Sequence, residues 1–164
     1  MEQKIERTKR VKTPQQALQS LMRMCARSEH SSGDALRLMK RWGVGDEEAR
    51  GILARLQAER FIDDRRFAEA FVRDKLNLSG WGAYKIKMAL RAKGVSREII
   101  EEVAATMIEA TDMRERLEDL MRRKLRTLKY TSPYDVKSKL IRFAASRGYE
   151  IDEAVECASK ILND

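Results

Sequence analysis

The chain is poor in the residues that most often carry out chemistry. Its 164 residues include one histidine, His30, and two cysteines, Cys25 and Cys157. A single imidazole excludes a histidine cluster. Two distant cysteines lack the close paired spacing of zinc and thiol–disulfide motifs, so they read as small core residues of a reducing compartment. No glycine-rich phosphate loop or metal-ligand cluster is present, and the expectation is no cofactor and no metal. Aromatic residues make up 6% of the chain, prolines number two, and no apolar run approaches a membrane span. With no signal peptide at its start, the sequence points to a cytoplasmic protein that does not engage a membrane.

Charge is abundant instead. Charged residues account for 37%, and 34 Lys plus Arg stand against 26 Asp plus Glu, a net charge of +8. This balance favours an anionic partner, whether nucleic acid, an acidic protein surface or anionic lipid. Two stretches are one-sided. From Gly80 to Arg97 the cations Lys85, Lys87, Arg91, Lys93 and Arg97 meet no acidic residue. From Met121 to Arg147 nine cations, among them Arg122, Arg123, Lys139 and Arg142, face only Asp135. Solvated helices usually mix both signs, so these stretches read as an anion-facing surface rather than a merely soluble one.

What recurs is a unit closed by glycine. Gly43, Gly94 and Gly148 lie 51 and 54 residues apart. Four and eight residues before them stand Met39 and Ala35, Leu90 and Ile86, Ala144 and Leu140; Val44, Val95 and Tyr149 follow directly. The i, i+4 spacing sets each apolar pair on one helix face, and the glycine supplies a left-handed stop. Each interval has room for about three helices, the signature of a helical repeat. The fold expected is all-α: three tandem three-helix repeats forming an elongated, curved array, with repeats at 13–60, 61–109 and 110–164. Residues 1–12, rich in Lys4, Arg7, Lys9, Arg10 and Lys12, are expected to be a disordered basic tail.

The first helix is expected from Thr13-Pro14-Gln15-Gln16, a cap, a first-turn proline and a capping box. A second helix should span 32–42 and a third should start at Asp46. In the middle repeat, Asp63 or Asp64 caps a helix with the stripe Phe67, Ala70, Phe71 and Leu78. Asn77 to Gly82 is expected as a loop, helix five over 83–93, and helix six from Ser96 with Ile99, Ile100, Val103 and Met107 inward. The last repeat should hold helices at 112–129 and 133–147, then one carrying Ala154, Val155, Ala158, Ile161 and Leu162. His30 beside Ser31 and Ser32 reads as a helix-breaking turn in preference to a nucleophile–base pair. Asp63-Asp64 reads as caps in preference to metal ligands. Trp42 should pack on its own unit. Trp81, between two glycines, either stacks on a partner or packs as a plug.

The run Phe61-Ile62-Asp63-Asp64-Arg65-Arg66-Phe67-Ala68-Glu69-Ala70-Phe71-Val72-Arg73 resembles the central signature of the RecX family, bacterial regulators of RecA recombinase. Arg27 to Ser31, Gly80 to Val95, Lys139 to Phe143 and Arg147-Gly148-Tyr149 resemble further parts of it, in the family's order, over residues 13–162. Ala35, Ala49 and Ala144 stand where the family usually has leucine or isoleucine, which implies looser packing or a different packing angle in the first and third units.

The resemblance implies three tandem three-helix repeats and a non-enzymatic inhibitor that binds the RecA–single-stranded-DNA filament in its groove or at its ends. It thereby limits filament growth, ATP hydrolysis, strand exchange and co-protease activity. The partners implied are the RecA filament and single-stranded DNA, touched directly or through the filament, by a monomer. The candidate contact residues are Arg66, Arg73, Lys85, Lys87, Arg91, Lys93, Arg122, Arg123, Lys139 and Arg142. Arg66 has a second reading, pairing with an aspartate to hold adjacent repeats. The rival functions are a DNA-binding helical module acting without a recombinase and a plain adaptor. Glu47, Glu48, Glu98, Glu101, Glu153 and Glu156, near the starts of would-be recognition helices, would repel phosphate and argue against the former.

Overall fold

The computed structural model describes residues 10–109 and 111–164. The described residues form helices and no strand: α1 Pro14–Arg27, α2 Ser32–Arg41, α3 Asp46–Ala58, α4 Asp64–Asp74, α5 Ala83–Ala92, α6 Arg97–Val103, α7 Met113–Thr127, α8 Pro133–Ser146 and α9 Ile151–Asn163. Contacts divide the chain into two compact units. One comprises the residues up to Phe67 with Lys93–Val95; the other comprises Ala68–Ala92 and Ser96–Asp164. Of the expected disordered tail, residues 1–9 lie outside the described residues. Lys12 is fixed: its backbone N–H donates to the Trp42 carbonyl at 3.0 Å and its ammonium to Ser20 Oγ at 2.6 Å.

The local signals act as their chemistry requires. Thr13 and Gln16 form a reciprocal capping box, with Pro14 in the first helical position. Ser31, Ser96 and Ser132 cap α2, α6 and α8 through their hydroxyls. After α2 and α8 the backbone turns left-handed at Gly43 (φ 81°) and Gly148 (φ 90°), and Gly94 (φ 79°) does the same after α5. The N–H of Val44 then reaches the Met39 carbonyl at 3.0 Å and that of Tyr149 the Ala144 carbonyl at 3.2 Å, the six-residue closure of a Schellman stop. Helix α3 closes the same way on a non-glycine, Arg60 (φ 60°).

The first unit's core gathers Leu21, Met39, Leu56 and Ile62, all essentially without solvent contact; the second buries Leu117, Met121, Leu140 and Ile161. Each such side chain contributes about 1.5–3 kcal/mol on burial. Ala35 and Ala144 are wholly buried and Ala49 nearly so. Both cysteines are free thiols. Burial raises both thiol pKa values above the ordinary value, which keeps them protonated.

Two stretches depart from the periodic reading. Lys75–Ser79, expected to be loop from Asn77, continues α4 as a wider π-helical turn, and Ala104–Ile108 continues α6 likewise. A π turn holds one more residue per turn and shifts the apolar phase. Leu78 therefore sits 83% exposed. Before that turn, in regular α4, Ala70 and Phe71 are only half-buried, and the buried line is Phe67, Ala68 and Val72, continued by Leu76. After Val103 the inward positions become Ala104 and Ile108, leaving Met107 half-buried. In α9, Val155 is exposed and Cys157 takes the inward position.

Glycines separate into two kinds. A Cβ on Gly94 would stand 2.8 Å from the Gly33 Cα, and one on Gly51, inside α3, would meet nothing. Gly94→Ala is therefore expected to cost about 2–4 kcal/mol, from left-handed strain plus backbone overlap. Gly51→Ala is expected to add about 0.5–1 kcal/mol. Urea unfolding of the two variants should move in opposite directions.

A charge clamp fastens α7 to α9: Glu118 receives Lys160 at 2.7 Å and Arg122 at 2.9 Å, while Arg122 also reaches Asp164 at 2.6 Å. The Lys160 hydrogen bond first, then that of Arg122, holds the Glu118 pKa below its ordinary 4.5. A carboxylate with a lowered folded pKa stabilises above its unfolded value and loses that contribution as pH falls through the folded one. The melting temperature should thus fall as pH drops below about 4.5. Glu118→Gln should blunt the part of this fall that 1 M salt also removes.

Candidate interaction surface

The aspartate-pair signature is consumed by structure. Asp63 caps its own helix, its Oδ1 accepting the Arg66 N–H at 3.0 Å. Asp64 reaches away from α4 and accepts from the Ser32 N–H at 2.8 Å and the Ser32 hydroxyl at 2.5 Å, so it neutralises the start of α2. Arg66 pairs with Glu29 at 2.6 Å, and not with an aspartate, while a second nitrogen donates to the Arg60 and Phe61 carbonyls. The hydrogen bond to Glu29 raises the Arg66 pKa. Ser31 Oγ donates to the Lys93 carbonyl at 2.7 Å. With both serine hydroxyls engaged and His30 resting 3.1 Å from Ser28 Oγ, no nucleophile–base pair forms between His30 and Ser31 or Ser32.

The remaining candidates divide by whether their charge is already spoken for. Lys93 faces Asp34 at 3.2 Å, and Arg37 binds the same carboxylate. Desolvation pushes the Asp34 pKa up, and the Arg37 and Lys93 contacts more than offset it, for a net lowering. Arg122 belongs to the α7–α9 clamp. Lys139 binds Asp135 at 3.0 Å and the Lys129 carbonyl at 2.8 Å. Lys85 donates to the Ser146 carbonyl at 2.9 Å. Arg123 and Arg142 are exposed and fold back onto carbonyls of their own helices, each at 3.4 Å. Arg73, Lys87 and Arg91 are exposed.

Helix α5 explains why Lys87 and Arg91 stand out. Ile86 and Leu90 are buried on one side, so the helical period turns Tyr84, Lys87, Met88 and Arg91 (i, i+3, i+4, i+7) to the opposite side. Tyr84 is 65% and Met88 44% exposed. The surface is thus two cations alternating with an aromatic ring and a thioether. The cations were legible from charge alone. Tyr84 and Met88 were missed, although the same spacing that paired Lys87 with Arg91 contained them.

Trp81 packs inward rather than standing free. Its ring meets Phe71 edge-on at 6.2 Å, and the Lys75 and Lys85 ammonium groups each sit 4.5 Å from its centre. Trp42 packs on its own core with Lys12 over its ring at 4.3 Å. A groove of about 620 Å³ runs between the Leu76–Gly80 turn and α7, lined by Glu115, Arg116, Asp119, Arg123 and Arg147. Arg116 in it is tied to the Leu76 carbonyl and Asn77. No group of residues suited to hold a metal ion occurs among the described residues. Nor, among them, is any helix long and apolar enough to cross a membrane.

Residues 63–103 match the second three-helix domain of RecX and residues 111–157 the third. The regulatory protein RecX of Haemophilus influenzae is 30% identical over 138 residues, covering 84% of this chain and 89% of that one. That of Thermus thermophilus is 32% identical over 141 residues, covering 86% and 89%. A Clostridium botulinum relative of the same name is 34% identical over 110 residues, and the chain spans only half of its length. The crystal structure of RecX from Lactobacillus salivarius superposes with a TM-score of 0.73 at 18% identity over 92% of this chain and 96% of that one, which shows a shared fold. Sequence match across two domain models and across most of two relatives, on the all-α repeat fold described above, establishes that the chain belongs to the RecX family.

Proposed function

We propose that this chain is a non-enzymatic regulator of a RecA recombinase, acting by occupancy of the RecA–single-stranded-DNA filament. It binds in the filament groove or at its ends and limits filament growth, ATP hydrolysis, strand exchange and co-protease activity. It works as a cytoplasmic monomer. The observation that carries the reading is the exposed α5 face, where Lys87 and Arg91 alternate with Tyr84 and Met88, on a member of a family named for regulation. Arg73, Arg123 and Arg142 are secondary contacts. Arg66, Lys85, Lys93, Arg122 and Lys139 are assigned to holding the fold, because each already meets a carboxylate, or a carbonyl of another helix, within the protein.

The physical case is one of availability. A cation already held in an ion pair must give up that partner before it binds an anion. An exposed one has only water to lose. Exposed aromatic and thioether groups between the cations add apolar contact that pure charge lacks. A base-reading module is disfavoured, since α3 opens with Asp46, Glu47 and Glu48 and α9 with Asp152 and Glu153 in the first turn.

The test is RecA ATPase on single-stranded DNA with the protein titrated in at two salt concentrations. Half-inhibition is expected well below one molecule per recombinase. Lys87→Glu with Arg91→Glu should raise the half-inhibiting concentration about tenfold or more while leaving the circular dichroism and melting temperature unchanged. Full inhibition by the folded double variant would remove α5 from the contact. Salt-sensitive binding to bare DNA without any effect on the recombinase would favour the DNA-binding alternative.

A further inference from the structure

Three carbonyls occupy equivalent places, each on the residue before a left-handed glycine: Trp42, Lys93 and Arg147. Each accepts one hydrogen bond from elsewhere in the chain. The Lys93 carbonyl takes it from Ser31 Oγ at 2.7 Å and the Arg147 carbonyl from the Gly82 N–H at 2.7 Å. Ser31 and Gly82 are themselves equivalent, each lying twelve residues before its own unit's glycine and directly before the first residue of α2 or α5. So in two places the start of one repeat's middle helix docks on the end of the next repeat's middle helix. The third carbonyl, that of Trp42, is filled differently: the Lys12 N–H donates to it at 3.0 Å.

We infer that residues 10–12 are a closing segment that occupies the first repeat's docking face in place of a helix start. Lys12 binds that face by three groups of the first unit, which a solvated tail would not do. Its N–H goes to the Trp42 carbonyl, its ammonium to Ser20 Oγ at 2.6 Å, and the same ammonium lies 4.3 Å from the centre of the Trp42 ring. The fit is looser than at the other two places. A Cβ on Gly94 would meet the Gly33 main chain at 2.8 Å and one on Gly148 would collide with Lys85, whereas one on Gly43 would meet only a Val11 methyl at 3.8 Å. The segment therefore satisfies the carbonyl and shields the tryptophan without interlocking backbones. That makes this the docking face that opens most readily. At the opposite end α8 begins one turn further back than α2 or α5: the residue twelve before Gly148 is Val136, buried inside the helix. The third repeat consequently presents no helix start of the Ser31 or Gly82 kind, so another copy has nothing equivalent to offer the Trp42 face.

Native-state hydrogen exchange followed by mass spectrometry tests this without any recombinase, so its outcome is independent of the proposed function. Three variants are compared with the parent: Lys12→Met, which keeps the side-chain stem and loses the ammonium; Lys40→Ala, a control at an exposed position of α2 that loses the same charge; and removal of residues 1–12. Lys12→Met and the truncation should speed exchange about five- to tenfold in peptides spanning residues 38–49, the range expected for the loss of one such contact. Lys40→Ala, and peptides of α8 and α9 in every variant, should stay within twofold of the parent. Unchanged exchange at 38–49 in both Lys12→Met and the truncation would overturn the inference. So would an acceleration that reaches α8 and α9 equally.

Discussion

Where Gly33 lies against Gly94, two stretches of main chain approach so closely that a Cβ on Gly33 would stand 2.3 Å from the Lys93 carbonyl oxygen. Gly82 repeats the arrangement against Gly148, at 2.6 Å from that glycine's oxygen. Interlocked backbone is a harder constraint than side-chain packing, because no rotamer change relieves it. Around it the other features fall into order. The left-handed glycine ends a middle helix, the carbonyl just before it accepts a hydrogen bond, and Asp34 or Lys85 adds a polar contact to the next repeat beside the joint. The apolar pairs four and eight residues earlier then need only fill the space the joints define.

The most recognisable stretch of the chain is largely spent on contacts within the fold. Asp63, Asp64 and Arg66 are spent on a helix cap, a second helix start and an ion pair with Glu29. Such contacts tolerate little substitution, so they make a strong sequence signature whatever the partner is. The cations proposed for a partner are exposed, on the outward side of α5 and at Arg73. A single-sign run such as Gly80 to Arg97 thus mixes two jobs: Lys85 and Lys93 bind within the protein, Lys87 and Arg91 face outward.

Helix boundaries and stops were legible because their signals are local and stereochemical. Thr13-Pro14, Ser132-Pro133 and the three glycines act within a few residues, and each does in the fold what its chemistry dictates. Burial was legible at most positions where the period stayed at 3.6 residues, though Ala70, Phe71 and Val155 miss the core within regular helices. It failed at Leu78 and Met107, each in or near a turn of the wider helix, because nothing in the residues themselves marks where that turn enters. Side-chain pairing across long separations was not legible at all. The partner of Arg66 turned out to be Glu29, 37 residues away, and that of Asp64 was Ser32. Neither assignment follows from spacing, since both depend on how the helices come together.

The wider turns at Lys75–Ser79 and Ala104–Ile108 have a meaning for how such a chain tolerates change. Each lies in a helix between two successive glycine stops, and each absorbs one residue of length inside a continuous hydrogen-bonded ladder. An added residue is thereby accommodated without opening a loop, and the apolar face beyond it simply rotates to a new set of positions. One such turn lies in each of the two intervals between stops, which are 51 and 54 residues long. The helices act as adjustable spacers between fixed couplings, and length variation between relatives should collect in them before it reaches the glycines.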